Sequence, residues 1–164
     1  MQKWTKSIHP HVKFEAVKYL LKNKQAIDPA TIQALAKDEY YRLDIYNELI
    51  TQKKEALFPL NYKTQESIAK SMLHRYLIDE DYSAEQIVFL MKRQSLYKGK
   101  ITTFYLFRIG FNNDGEKLYR LGVVGPLPEK KVITTEAELI DISEENFDAK
   151  KISSQLAALL AQYE

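Results

Sequence analysis

At 164 residues, with 45% apolar side chains and sparse glycine and proline, the chain is long enough to bury a core as one medium-sized domain or two small ones without covalent staples. Its 24 basic and 22 acidic residues leave a formal charge of +2, too small a surplus to point to nucleic acid by net charge. The absence of cysteine excludes disulfides, thiolate catalysis and cysteine-ligated zinc and suits a reducing compartment. No apolar leader follows Met1 and no apolar run approaches a membrane span, so the expectation is a cytoplasmic protein that does not cross a membrane.

After a short arm carrying Trp4, the pair His9-Pro10 predicts a helix start, with Val12, Ala16, Tyr19 and Leu20 as its apolar stripe and an end near Asn23. Asp28-Pro29 is a second start signal, Asp as cap and Pro at the first helical position, followed by Ile32, Leu35 and Ala36 on the inner side. Beyond the polar break Lys37-Asp38-Glu39, a third helix is predicted from Tyr40 to about Ala56, with Leu43, Tyr46, Leu49 and Ile50 facing inward. Thr64 caps a fourth, Gln65 to Ile78. Ser83-Ala84-Glu85-Gln86 has the form of a capping box, which predicts a fifth helix from Ala84 to Lys98 with Gly99 as its left-handed stop.

The stretch from Ile101 to Pro128 changes character. Two β-rich runs flank Asn112-Asn113-Asp114-Gly115, a strong hairpin signal. For an even-length loop the paired numbers sum to an odd value, so Tyr105, Phe107, Ile109 and Phe111 share a face with Leu118, Arg120, Gly122 and Val124. Phe104, Leu106, Arg108 and Gly110 then share the other with Tyr119, Leu121 and Val123. Both faces are apolar in the middle, so both need cover, and the helix 84–98 is expected to lie over one of them. In residues 130–143 the apolar alternation permits a third, edge strand, while the surrounding charge equally suits an acidic loop. A last helix, about Phe147 to Tyr163, carries Ile152, Leu156, Leu159, Leu160 and Tyr163 in one stripe, expected on the other hairpin face. The predicted class is α+β: a helical region, 1–98, solenoid-like or a bundle, and a hairpin with a C-terminal helix, 99–164.

A weak internal repeat runs through the helical region. Residues Val12 to Leu20 align with Tyr41 to Leu49 at an offset of 29, and with Ala69 to Leu77 one residue short of the next period. With His11-Val12-Lys13 and Tyr40-Tyr41-Arg42 at the helix starts, residues 9–77 resemble a HEAT-like repeat. The resemblance implies stacked helix pairs that present a surface to a partner. The chain departs from the family pattern in lacking an aspartate before its first helix and in carrying Phe58-Pro59-Leu60 where an inter-helix turn belongs; a plain helical bundle is the alternative. The order of helices, hairpin and helix also resembles the C-terminal ends of large bacterial helical-repeat proteins.

Chemistry-bearing groups are thin. His9 and His11 bracket a proline, away from helical ligand spacing, and His74 beside Arg75 reads as an exposed helix residue, so no metal site is predicted. There is no G-x-S-x-G motif and no phosphate loop, so no catalytic or cofactor-binding residue is assigned. The eleven tyrosines read as core-edge residues with wet hydroxyls. The expected role is therefore a non-enzymatic interaction or scaffold module with a protein partner, and Tyr40, Tyr41 and Arg42 form the candidate surface, since aromatic and arginine residues dominate interface hot spots. Ordinary repeat packing with Arg42 solvated is the alternative. A nucleic-acid reading rests on Lys18, Lys22, Lys24, Lys53 and Lys54 as a basic stripe, and a pocket reading on Arg108, Tyr119 and Arg120.

Overall fold

Proline and aspartate set the helix starts in the computed structural model, which describes residues 2–113, 115–127 and 133–163. α1 (Pro10–Lys22) has Pro10 at its first position behind an extended His9, and α2 (Pro29–Lys37) follows Asp28, whose carboxylate accepts from the Ala30 N–H at 3.0 Å. Asp38 does the same for α3 (Tyr41–Thr51), accepting from the amides of Tyr40 at 3.0 Å and Tyr41 at 3.2 Å. Thr64 Oγ1 accepts from the Ser67 N–H and opens α4 (Gln65–Asp79). Each side-chain acceptor meets a first-turn amide that has no partner within the helix. α3 ends at Thr51, short of the expected Ala56, because the chain turns there to bury Phe58, whose ring lies 4.8 Å from that of Tyr46.

The three aligned segments end alike. In α1 the Leu20 carbonyl accepts from the Gln25 N–H, in α3 the Leu49 carbonyl from Lys54, and in α4 the Leu77 carbonyl from Tyr82. The residue before each donor, Lys24, Lys53 and Asp81, holds φ of 55°, 56° and 62°. This is the Schellman closure, here made without glycine. The closing leucines are the last residues of the aligned segments, and all three are buried, at 1%, 0% and 1% exposure.

Residues 1–71 and 72–164 form two compact units, so the boundary falls inside α4. The second unit is built on a four-stranded antiparallel sheet of order β1 (Ala84–Tyr97), β2 (Lys100–Asn113), β3 (Glu116–Gly125), β4 (Leu139–Asn146), closed by α5 (Ile152–Leu160). The class is α+β, with five α-helices among the described residues.

The helix expected over residues 84–98 is instead β1, and those residues belong to the sheet unit. Its capping box is a local signal only. Ile87, Val88 and Phe89 favour a strand, and β1 pairs with β2 from Ala84↔Phe111 to Tyr97↔Lys100, which satisfies the amides and carbonyls along an edge of β2 that a helix would leave bare. Lys98 and Gly99, at φ of 48° and 74°, form the two-residue turn between them; Gly99 supplies a hairpin, not a helix stop. β1 therefore lies beside the hairpin, not over its face.

The hairpin itself has the expected parity: Tyr105↔Val124, Phe107↔Gly122 and Asn113↔Glu116, with the Gly115 N–H donating to the Asn112 side-chain oxygen at 3.0 Å. The acidic connector does contain an edge strand, from Leu139, while 128–132 lie outside the described residues. The last helix is shorter than its stripe suggested. Leu156, Leu159 and Leu160 of α5 pack with Phe104, Leu106, Leu121 and Val123 of the predicted second face, and with Tyr97 of β1. On the first face, Gly122 lets Leu73 of α4 approach: a Cβ there would stand 2.7 Å from Leu73 and from Ile109. Gly125 has the same use against Phe104, at 2.6 Å. Where β4 bulges away from β3, the Ser143 hydroxyl accepts from the Leu121 N–H at 3.1 Å and replaces the missing ladder bond.

Candidate interaction surface

The predicted trio Tyr40, Tyr41 and Arg42 divides. Arg42 is 4% exposed and turned inward. Its Nε donates to the Ala36 carbonyl at 2.7 Å, Nη2 to Lys37 at 3.2 Å and Nη1 to Ser67 at 3.2 Å, with the guanidinium 5.1 Å from the Tyr62 ring. Ala36 and Lys37 end α2, where carbonyls lack helical partners, so a cation there answers both their hydrogen bonds and the helix dipole. Burial lowers its pKa, with Glu39 opposing. Arg42 is neither solvated nor available to a partner. Beside it the buried Ser71 hydroxyl donates to the Glu39 carbonyl at 2.6 Å and accepts from the Leu43 N–H at 3.1 Å.

The tyrosines stay at the surface, half-buried. The rings of Tyr40 and Tyr41 stand 5.0 Å apart edge to face, and Tyr41 also lies 5.6 Å from Phe14 and 6.5 Å from His11. Burial pushes the Tyr41 hydroxyl pKa up. Through His11 this cluster continues into an open groove of about 380 Å³ between the 3₁₀ turn Gln2–Lys6 and α1. Trp4, His11, Val12, Glu15, Ala16 and Tyr19 line it.

Trp4 is 58% exposed and Tyr19, assigned by periodicity to the buried stripe, is 45% exposed. Periodicity places Tyr19 beside Leu20 but cannot say where the stripe's covering elements stop. Large rings left in water on the wall of an apolar groove are the composition of a binding surface. One signal for this region was present in the sequence: residues 1–27 hold six lysines against a single acidic residue, Glu15.

The remaining candidates disperse. Lys22, Lys24 and Lys53 are exposed, Lys54 is half-buried, and Lys18 is held by Glu15 at 3.0 Å and over Phe14 at 5.3 Å. Lys24 and Lys53 are the left-handed closing residues of α1 and α3. Arg108 lies 5.1 Å over the Tyr119 ring on one sheet face while Arg120 projects on the other, so the three do not converge. His9 and His11 are exposed, and His74 is half-buried with Nδ1 shielded and without a hydrogen-bond partner, not an exposed residue. Among the described residues no three metal-ligating side chains cluster, and no helix is long and apolar enough to cross a membrane. Comparison with protein-family models, curated proteins and solved structures finds no match to this chain.

Proposed function

We propose that this chain is a non-enzymatic protein-interaction module that meets its partner through the aromatic surface of its N-terminal unit. The observation that carries the reading is the groove walled by exposed Trp4 and Tyr19 and continued through His11 to Tyr41 and Tyr40. Exposed rings of this size gain most from being desolvated by a second protein. The identical closures of α1, α3 and α4 support reading residues 9–77 as a HEAT-like repeat, an architecture that presents helix faces to partners.

The test is retention from lysate on immobilised chain at low and moderate salt, wild type beside a Trp4→Ala, Tyr19→Ala double variant and a Tyr41→Ala variant. A protein held at both salts by the wild type and lost with the double variant is the expected result. Retention that ignores all three substitutions, or nucleic acid alone at low salt, overturns the reading.

A further inference from the structure

The groove lining carries one charged residue, Glu15, paired with Lys18 at 3.0 Å, and among the described residues the cations without such a partner lie on the flanking elements. Lys3 and Lys6 are exposed on the 3₁₀ turn that forms one wall, and Lys22 is exposed at the end of the helix that forms the other. The rest of the chain holds 18 basic and 21 acidic residues, so the excess of positive charge belongs to this region: six lysines to one carboxylate in residues 1–27, within a whole-chain charge of +2. The floor of the groove is apolar, built from Val12 and Ala16. His11 and Tyr19 mark the ends of the lining on α1, about 12 Å apart at the helical rise, which is two turns of a helix.

From this we propose that the groove takes an acidic peptide segment of the protein partner, with one bulky apolar side chain seated between Trp4 and Tyr19 and carboxylates reaching the exposed lysines of the flanking elements, Lys3, Lys6 and Lys22. The inference rests on the interaction reading above and supplies the partner's chemistry. Ring walls and an apolar floor hold the anchor, as in helix-in-groove recognition, and the lysines select the sign of its flanks. The one carboxylate of the region decides against a polynucleotide. Glu15 lies in the lining itself. A nucleic acid carries a phosphate at every residue and brings charge to that carboxylate, whereas a peptide can place neutral or apolar residues there and keep its acids for the flanking lysines.

Trp4 is the chain's single tryptophan, so its fluorescence reports on this groove alone. The whole chain is titrated with three probes: an amphipathic peptide with leucine on one face and glutamate on the other, its lysine-for-glutamate counterpart, and oligothymidylate. The expected result is a blue shift of Trp4 emission with the acidic peptide at the lowest concentration, weakened as salt rises. A Lys3→Glu, Lys6→Glu variant keeps the reporter and binds about tenfold more weakly. Equal binding of the lysine peptide, a stronger response to oligothymidylate, no response to the acidic peptide, or an unchanged affinity in the charge-reversed variant each overturns the proposal. Adding the acidic peptide to the immobilised chain separates the two readings. A retained protein that needs Trp4 and Tyr19 but is not displaced by the peptide leaves the interaction module standing and removes the acidic segment.

Discussion

Both units meet stray backbone groups with neutral hydroxyls, Ser71 in one and Ser143 in the other, but the helical unit adds a buried cation at a helix end. In residues 1–71 the carbonyls that end α2 are met by a buried cation, Arg42, while in residues 72–164 the amide stranded at the β3–β4 bulge is met by a neutral hydroxyl, Ser143. The sheet unit likewise uses the neutral Gln155, 4% exposed, which donates to the Asn146 carbonyl at 2.7 Å and accepts from the Asp148 N–H at 3.2 Å. The difference follows from the elements. A helix gathers its unpaired carbonyls at one end, where their dipoles add and favour positive charge. An antiparallel sheet pairs its own groups and leaves a single orphan at a bulge, for which one hydroxyl is enough.

This contrast ranks what substitutions cost. The largest loss belongs to the apolar core of the sheet unit: Phe104, fully buried and 5.6 Å edge to face with Tyr97, leaves a cavity when replaced by alanine. Phe104→Ala is expected to cost about 4 kcal/mol in urea denaturation. Arg42→Met follows at about 3 kcal/mol, since it strands the buried Ala36 carbonyl and the part-buried carbonyls of Lys37 and Ser67, and Arg42→Lys falls between because it keeps the charge without the fork. If Arg42→Met is neutral, the guanidinium is not what closes the helical unit. Ser143→Ala is smaller, about 1 kcal/mol, as one neutral amide loses its acceptor; a loss as large as that of Arg42→Met would erase the distinction between the units.

The smallest effect is confined to alkaline pH. Asp141 accepts hydrogen bonds from the Tyr163 hydroxyl at 2.5 Å and the Tyr76 hydroxyl at 3.2 Å. The bond to Asp141 pushes the Tyr163 pKa from 10.0 up to about 12, with burial adding to it. Between those values the unfolded chain has released a proton that the folded chain keeps, so this contribution is whole below pH 10 and is lost as pH rises through about 12. Tyr163→Phe is therefore expected to flatten the decline of stability over that window; an unchanged slope would show that the pair does not form in solution. Tyr76 is also raised, chiefly by burial, and remains in both proteins.

Legibility also differed between the units. Asp28, Asp38 and Thr64 act within a few residues of themselves, so three helix starts could be read directly. The hairpin faces were legible because the turn and the period of two determine them together. Residues 84–97 were not: Ser83 and Gln86 write a helix start, and only pairing along the whole of β2 outweighs it. The candidate surface was half legible. Tyr40 and Tyr41 were named and lie at the surface, but Arg42 points inward because the end of α2 is there to receive it; Trp4 was placed only on the arm and Tyr19 in the buried stripe, because exposure depends on which elements stop short of them.

What the amino-acid sequence determined by itself was therefore whatever is decided over a few residues: the caps, the turn at Gly115, the alternation along β2 and β3, and the lysine excess ahead of Asp28. The tertiary structure decided the rest. β1 is a strand because β2 has an edge to offer, Arg42 is a staple because α2 ends beside it, and Trp4 with Tyr19 borders a groove because none of the described residues of the N-terminal unit covers them. In each case the free energy comes from a partner distant in the chain or from its absence, and no local pattern carries that information.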